Sequence, residues 1–524
     1  MAVVDPNASK LERFARKGVL LSVLFFAVLS MAALDHELKV QHDSGVYIAL
    51  AKSLSSGQGY REIFYADSPL HTLYPPVFPL LLAPLTYFRG LDFLAMKVMV
   101  VVMAILALYL TYVFHRAVTS DLIACLVVIF TATSHGIVFH SQSILTEIPY
   151  LLFSLLALFW LLRCSRQGTW SGKAAALTVI LIPVVYLTRL VGLSLLLAAV
   201  AYLLFESRDG AGMRIKRATT IGGIAAVPGL WWFLRNWWMG ESAGTYYWRS
   251  GYAKAVYSSP HVTEQALTLF VKIGVNLKKY VLGYARVIFF ELPRISETVL
   301  PLLLALVIFG GFVWCLVRKR TILEYYLFFY MGAVLLFPAS RAERYIVPLI
   351  PIIWYYFFTA MGIIFSWLCR NAWFLDPARQ RQAVLTATLV LLSALLISNG
   401  WTTVVANVAY KGREGYYHVV GEDEYKEVAL WAKAHTSPDS IFMWAKPSLR
   451  FLLSGRKAIQ VPFRRSEEEV LQYIRSQKVD YVILDSFSER VQLRLGGVVK
   501  RYPDQFRLVY TNEVSRMYKV ISLQ

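Results

Sequence analysis

The chain has 524 residues, 57% of them hydrophobic, and a mean hydropathy of +0.51. Because soluble globular domains are usually about 45–50% apolar, this composition excludes an ordinary soluble protein. The formal net charge is +20, but most of the basic excess falls in short loops between apolar runs. That pattern indicates membrane topology and contact with anionic lipid, and it argues against nucleic acid as a partner.

Apolar runs long enough to span a bilayer recur along the chain and predict about eleven transmembrane helices. They lie at 18–34, 93–113, 122–138, 148–162, 174–188, 190–205, 218–234, 298–317, 323–338, 345–368 and 383–405. The first run is interpreted as an uncleaved signal anchor. The runs at 174–188 and 190–205 are short, and only a Thr-Arg turn separates them.

Positive charge orients these spans. Lys and Arg cluster on one side, which is therefore expected to be cytoplasmic, at 10–17, 163–173, 208–217, 318–320 and 370–381. An odd number of spans then leaves the N-terminus inside and the C-terminus outside. The outer side takes the long loops 35–92 and 235–297 and the tail from residue 406.

The outer segments carry their own structural patterns. Loop 35–92 contains GVYIALAKSLSSG, whose apolar spacing is typical of a helix lying flat at the membrane interface. In 406–524, strand-like runs alternate with helix-like runs. We therefore expect an α-helical polytopic membrane protein with interfacial helices in the first outer loop. Its membrane domain is expected at 1–405, and 406–524 is expected to form a small extracytoplasmic α/β domain.

Two acids are candidates for chemistry. Asp43, in HDSGVY, lies near the outer end of the first span, where a partly desolvated carboxylate can act as a general base. Its alternative role is an exposed loop acid or a helix N-cap. Glu147, in SQSILTEIPYLLF, begins a span on the same side, where it is either functional or compensates the helix dipole. Asp43, Glu147 and His42 are also the candidate ligands for a divalent cation, although their spacing is not diagnostic.

Basic residues on the outer side form a candidate anion clamp. Arg341, Arg344 and Tyr345 lie together in SRAERYIVPLIP, and guanidinium groups bind phosphate in a bidentate manner. The alternative is contact with lipid headgroups or an interfacial anchor. Arg189 and Arg235 are similar but weaker candidates.

Two further features have mainly structural interpretations. The stretch Tyr74-Pro75-Pro76 fixes an extended turn that leads into an apolar run, as a rigid re-entry turn would. The dense aromatic residues of 231–252 fit an interfacial belt better than a sugar-binding platform.

Taken in order, these stretches resemble the C-type glycosyltransferases, and among them the bacterial relatives of protein O-mannosyltransferases and aminoarabinose transferases. The resemblance covers nearly all of residues 19–370 and rests on HDSGVYIALAKSLSSGQGY, YPPVFPLLLAPL, SQSILTEIPYLLF, WFLRNWWMG and ERYIVPLIP. It implies a multi-span transferase of the inner (plasma) membrane, with an interfacial active site facing the periplasm or cell exterior. It also implies a donor that carries a hexosyl or pentosyl group on polyprenyl phosphate.

The resemblance assigns positions as well. Asp43 occupies the place of the first-loop catalytic acid and Glu147 that of the second acid, while Arg344 and Tyr345 match the Arg-Tyr stretch before a Pro-rich span. The implied reaction inverts the anomeric carbon. Asp43 takes the proton of an acceptor hydroxyl on a protein, lipid or glycan, and Glu147 orients the acceptor or a cation. The residues expected to hold the donor phosphate are Arg341, Arg344, Tyr345 and Arg189, and those expected to line the lipid groove are Tyr74, Pro75, Pro76 and Arg235.

The chain also departs from these relatives. Aminoarabinose transferases carry a Lys and an Arg that contact the donor phosphate, where this chain has Tyr74 and Val46. Many relatives have Asp-Glu in the first loop, where this chain has Asp43-Ser44. These differences weaken the case for the same donor-binding mode and the same sugar.

Three other functions compete with this interpretation. A transporter or flippase of lipid-linked sugars would share the spans and the clamp, but it predicts acids at mid-membrane rather than at outer helix ends. A non-catalytic scaffold or receptor would use 406–524 to bind a partner. An O-antigen-ligase-like enzyme would rely on histidine and arginine in a large outer loop, whereas His261 is the only histidine in 235–297.

Overall fold

The structure is a computed structural model that describes residues 6–38, 43–167, 172–206, 209–239, 262–288, 296–337, 342–371, 377–405, 422–459, 461–462, 466–486 and 489–521. The chain divides into two compact units. The first unit comprises Met1–Leu34, Thr72–Val77 and Lys97–Ala409. The second comprises Asp35–His71, Phe78–Met96 and Tyr410–Gln524.

The described chain is mostly helical. In chain order the α-helices are α1 Pro6–Ala32, α2 Ser44–Ser55, α3 Val77–Arg89, α4 Phe93–Val118, α5 Asp121–Ala132, α6 His135–Ser141, α7 Glu147–Gln167, α8 Lys173–Tyr186, α9 Leu193–Phe205, α10 Ala211–Trp238, α11 Val262–Ile288, α12 Ser296–Arg318, α13 Ile322–Leu336, α14 Ala342–Ile346, α15 Ile350–Arg370, α16 Pro377–Val404, α17 Glu422–His435, α18 Pro447–Ser454, α19 Glu467–Ser476 and α20 Glu489–Arg501. Short 3-10 turns at Leu190–Gly192, Val347–Leu349 and Pro503–Gln505 lead into α9, α15 and the strand that starts at Phe506.

Six helices within the described ranges are long and apolar enough to cross a membrane, and the pair α5 and α6, bent by 59°, adds a seventh if it forms one span. The chain is therefore a multi-pass membrane protein. The expected count of eleven is not confirmed. The runs at 174–188, 190–205 and 323–338 are shorter apolar helices, and the run at 218–234 lies in α10, which is not among the six. Helices of this shorter kind rise about 20 Å, which is less than the roughly 30 Å hydrocarbon core.

Tyr186, at the end of α8, fixes this helix to α10. Its hydroxyl donates to the carbonyl of Ala225 at 2.7 Å and accepts the N–H of Gly229 at 2.8 Å. These two groups would otherwise bond each other along α10, so the tyrosine oxygen is inserted into the helix ladder beside Pro228. A Cβ on Gly229 would lie only 2.8 Å from the Tyr186 ring, so glycine is required for this approach.

The corner between α8 and α9 is also tight. A Cβ on Gly192 would lie 2.7 Å from the Cα of Tyr186, closer than side-chain atoms tolerate. Between them Arg189 adopts an extended conformation, with φ −148° and ψ 132°. The Thr-Arg turn expected from the sequence is thus a break held by close backbone packing, and it sets the direction of the Arg189 side chain.

The second unit contains a five-stranded sheet. Its strands are β1 Ile441–Met443, β2 Lys457–Ile459, β3 Tyr481–Asp485, β4 Phe506–Thr511 and β5 Ser515–Val520, in the order β2-β1-β3-β5-β4. β1 is parallel to β2 and β3, while β5 is antiparallel to β3 and β4. Alternate residues bury opposite faces: Met443 and Val482 face one core, and Phe442 and Ile483 face the other.

The loop at 35–92 joins this sheet. The N–H of Ala66 donates to the carbonyl of Ala458 at 3.0 Å, and the N–H of Ala458 donates to the carbonyl of Phe64 at 2.9 Å. Residues around Tyr65 therefore extend the edge strand β2 in a parallel sense. The sequence assigns loop 35–92 to the membrane domain, whereas most of this loop belongs to the second unit, together with the C-terminal residues. Backbone pairing at a strand edge leaves no hydropathy signal, so the sequence does not reveal this association.

Candidate functional site

Glu147 is the first residue of α7, and its side chain is fully buried. The helix starts where the carbonyl of Thr146 accepts the N–H of Tyr150 at 2.9 Å. A negative charge in the first turn is favourable because the helix dipole presents partial positive charge there. Burial of a carboxylate is costly without charged partners, so its neighbours decide what this acid can do.

Two arginines bind the same oxygen of Glu147. Nε of Arg344 lies 2.5 Å from Oε1, and Nη1 of Arg189 lies 2.6 Å from it. Nη1 of Arg189 also donates to the hydroxyl of Thr146 at 3.2 Å. The other carboxylate oxygen, Oε2, is buried and has no hydrogen-bond partner within the residues that the structure describes. We call Glu147, Arg189, Arg344 and Tyr345 the arginine cluster.

The arginines reach Glu147 from separate elements. Arg189 extends from the corner before α9. Arg344 lies in α14, about one turn before Pro348 in the 3-10 turn that leads into α15. The guanidinium of Arg189 lies 5.1 Å from the centre of the Tyr345 ring, a cation–π distance. The structure thus brings together Glu147, Arg189, Arg344 and Tyr345, which come from three widely separated stretches of sequence.

Tyrosines that sequence reasoning missed lie beside the cluster. The hydroxyl of Tyr330 donates to the carbonyl of Tyr345 at 2.7 Å. The hydroxyls of Tyr150 and Tyr326 lie 3.0 Å apart. Tyr326 and Tyr330 are one helical turn apart on α13, so an i, i+4 tyrosine pair in an apolar run was the available signal. Tyr150, three residues after Glu147, was a second signal.

The Tyr-Pro-Pro turn contacts the same part of the first unit. The N–H of Val77 donates to the carbonyl of Leu187 at 3.1 Å, two residues before Arg189. At the other end of the turn, Nδ2 of Asn236 donates to the carbonyl of Thr72 at 2.9 Å. The segment that contains Tyr74, Pro75 and Pro76 is therefore held between the α8–α9 corner and the end of α10.

Arg235 lies at that end of α10. Its Nη1 donates to Oδ1 of Asn236 at 2.6 Å, and its guanidinium lies 4.9 Å from the centre of the Trp232 ring. Arg235 thus reaches the Tyr-Pro-Pro turn through Asn236. The aromatic residues that follow residue 239 lie outside the described residues.

Asp43 belongs to the second unit and precedes α2. Its carbonyl accepts the N–H groups of Val46 and Tyr47, but its side chain makes no capping hydrogen bond. The half-buried carboxylate is therefore not used as a side-chain N-cap. Arg341 and His42 fall outside the described residues.

Metal binding has no support in the described ranges, where no three His, Cys, Asp or Glu side chains lie close enough to hold an ion. The charged partners described for Glu147 are guanidiniums instead. Two arginines and one glutamate give the cluster a net charge of +1. Such a group can bind an anion, because guanidinium N–H groups match phosphate oxygens and the charges attract.

Comparison with known proteins rests on structure. Neither the protein families nor the curated proteins contain a match to the sequence. A structure of ArnT from Cupriavidus metallidurans bound to undecaprenyl phosphate matches with a TM-score of 0.56 at 13% identity, covering 96% of this chain and 98% of that one. The archaeal oligosaccharyltransferase AglB from Archaeoglobus fulgidus, in complex with an inhibitory peptide and a dolichol-phosphate, gives 0.55 at 12% identity, covering 89% and 69%. A further structure of the Archaeoglobus fulgidus oligosaccharyltransferase, tethered to an acceptor peptide, gives 0.57 at 12% identity, covering 96% and 74%.

The chain has the C-type glycosyltransferase fold. This finding confirms the fold that the order of the motifs predicted. The sequence identities are low, so no single motif decides the assignment. In this C-type glycosyltransferase fold, the arginine cluster joins the start of α7 to α14 and to the corner before α9.

Proposed function

We propose that the protein is a membrane glycosyltransferase that moves a sugar from a polyprenyl-phosphate donor to an acceptor hydroxyl. The observation that carries this proposal is the arginine cluster, a largely buried group of net charge +1 in a membrane fold. The same fold occurs in structures solved with undecaprenyl phosphate and with a dolichol-phosphate. The cluster is the proposed site for the donor phosphate.

The charge of the cluster suits the leaving group better than the donor. A polyprenyl-phosphate sugar is a phosphodiester with one negative charge, and the released monoester carries nearly two near neutral pH. As the bond between the anomeric carbon and oxygen breaks, its electron pair passes to the phosphate oxygen. A unit positive charge about 4 Å away stabilises that added charge by about 4 kcal/mol at an effective dielectric of about 20. The interaction therefore favours the transition state over the ground state.

Asp43 is proposed as the general base for the acceptor. It would accept the proton of the hydroxyl while the oxygen attacks the anomeric carbon opposite the phosphate, which inverts that centre. Its support is the resemblance of HDSGVY to the first-loop acid of these transferases and its half-buried carboxylate. The Tyr74–Pro76 turn and Arg235 are proposed to line the path of the polyprenyl chain.

The proposed location is the plasma membrane, with the active side outside the cytoplasm, because basic residues mark the opposite side of the spans. The C-terminal residues 406–524 are proposed to lie on the same outer side. The donor group is proposed to be hexosyl or pentosyl, and the acceptor a protein, a lipid or a glycan, because a site for the phosphate selects neither of them.

Mass spectrometry tests this proposal directly. Purified wild-type protein and Asp43→Asn are each incubated with extracted polyprenyl-phosphate sugars and cell-envelope acceptors. The expected result is release of polyprenyl phosphate and a glycosylated acceptor by wild type only. Binding of a lipid-linked sugar by both proteins without turnover would favour a transporter instead. Full transfer by Asp43→Asn would refute the assignment of the base.

A further inference from the structure

The start of α2 lies against the start of α18 in the second unit. A Cβ on Gly45 would lie 3.0 Å from the backbone nitrogen of Leu449 and 3.2 Å from its Cα. It would also lie 3.1 Å from the hydroxyl oxygen of Ser448. Gly45 therefore permits backbone contact between the two helices only two residues after Asp43.

The contact continues along both helices. The ammonium group of Lys52 lies 5.3 Å from the centre of the Phe451 ring. Gly45, Tyr47, Ile48 and Leu50 are buried, so α2 has a defined position in this unit. Because the carbonyl of Asp43 accepts hydrogen bonds from the first turn of α2, Asp43 moves with that helix.

The sheet in turn fixes α18. Arg450, in the middle of α18, is fully buried, and its Nη2 lies 3.2 Å from Oδ2 of Asp485 at the end of β3. Its guanidinium lies 4.0 Å from the centre of the Tyr425 ring, on α17. Burial raises the pKa of Tyr425, whose hydroxyl stays protonated and donates to the carbonyl of Ala445 at 3.0 Å. A buried ion pair and a stacked cation thus hold α18 between the sheet and α17.

We propose that α18 is a positioning element for Asp43, through which the C-terminal sheet sets the location of the carboxylate. The path runs from Asp485 to Arg450, along α18 to Leu449, and across the contact with Gly45. This inference rests on the proposed function, in which Asp43 is the base. It assigns the C-terminal residues a role in positioning a catalytic group, whereas the sequence suggested only that they could bind a partner.

The test uses the full chain and the substitution Gly45→Ala. Alanine favours helix more than glycine does, so α2 itself should not be weakened. The new methyl group must instead push α2 and α18 apart by a few tenths of an ångström, because both atoms of Leu449 belong to the backbone. Since a displacement of about 1 Å can cost roughly a hundredfold in rate, we expect kcat to fall about tenfold. The apparent KM for the extracted polyprenyl-phosphate sugars should stay within about twofold.

Gly496→Ala is the matched control. It lies in α20 of the same unit, where the nearest atom to a new Cβ is a Leu484 methyl carbon at 3.9 Å. Its kcat and KM should equal those of wild type. If Gly45→Ala does not purify as folded protein, Arg450→Lys gives the same test, because lysine keeps the charge but loses the planar stacking that holds α18. It should likewise lower kcat with little change in KM.

The outcomes separate this inference from the proposed function. An inactive Asp43→Asn together with wild-type kcat in Gly45→Ala and Arg450→Lys would overturn the positioning role and leave the base in place. An equal loss in Gly496→Ala would also overturn it, since general destabilisation would then explain the result. Full activity in Asp43→Asn would refute the base assignment itself, whatever Gly45→Ala does.

Discussion

Replacing Glu147 by glutamine perturbs the arginine cluster at its centre. The carboxylate is fully buried and accepts charged donors at 2.5 and 2.6 Å. Breaking a buried ion pair usually costs about 3–5 kcal/mol, because the remaining charge stays desolvated. The side chains of Arg189 and Arg344 are 11% and 16% exposed, and glutamine keeps one acceptor oxygen. The cost should therefore lie at the lower end of this range. We expect Glu147→Gln to lower the free energy of unfolding by about 3 kcal/mol.

The assay is unfolding in mixed micelles, followed by the loss of helical signal. Glu468→Gln is the control, because Glu468 is an exposed acid in the first turn of α19 and should change stability by less than about 0.5 kcal/mol. Added undecaprenyl phosphate should stabilise Glu147→Gln more than wild type, because its phosphate supplies the missing negative charge.

Two results would refute this reasoning. If the free energy of unfolding of Glu147→Gln is within about 0.5 kcal/mol of the wild-type value, the two arginines do not need the Glu147 charge. That result would contradict the interaction that the short distances indicate. If undecaprenyl phosphate stabilises both proteins equally, the phosphate does not bind near the two guanidiniums.

Three other predictions concern parts of the fold that hold the candidate residues. Gly192→Ala should lower stability by about 1–3 kcal/mol in the same unfolding assay, because its methyl group overlaps the backbone of α8, whereas Gly223→Ala in open space should not. Arg450→Met should cost about 3–5 kcal/mol by removing the buried cation that faces the Asp485 carboxylate, and the double substitution with Asp485→Leu should recover most of that loss. Ala66→Pro removes a backbone donor to β2 and should increase hydrogen exchange of that strand, measured by mass spectrometry, while transmembrane helices stay protected.

The sequence predicted the membrane class, the break at Arg189 and the helix after Asp43, because hydropathy and helical periodicity are local signals. It also singled out Glu147 as a candidate acid, and Arg344 and Tyr345 as residues whose types and positions suited an anion site. It ranked Arg189 lower, since a single arginine between two short apolar runs does not reveal that it reaches Glu147.

Other features had no local signal. The parallel pairing of Tyr65 with Ala458 joins residues far apart in the chain through backbone hydrogen bonds, which nearly every residue type can make. The count of eleven spans is not confirmed, because apolar runs such as 323–338 form helices that are shorter than a hydrocarbon core. The contact of Gly45 with Leu449 is possible because glycine has no side chain. A single glycine at the start of a helix does not reveal from sequence which residue packs against it.

The central claim is that the arginine cluster receives the phosphate of a lipid-linked donor. Native mass spectrometry of undecaprenyl phosphate and dolichol phosphate binding tests it most directly, on wild type, Arg189→Gln and Arg344→Gln. Arg163→Gln is the control, since Arg163 is an exposed residue on α7, toward the opposite end from Glu147. Wild type and the control should bind equally, and each cluster variant should lose about tenfold or more in affinity. Unchanged binding in both cluster variants would contradict the account.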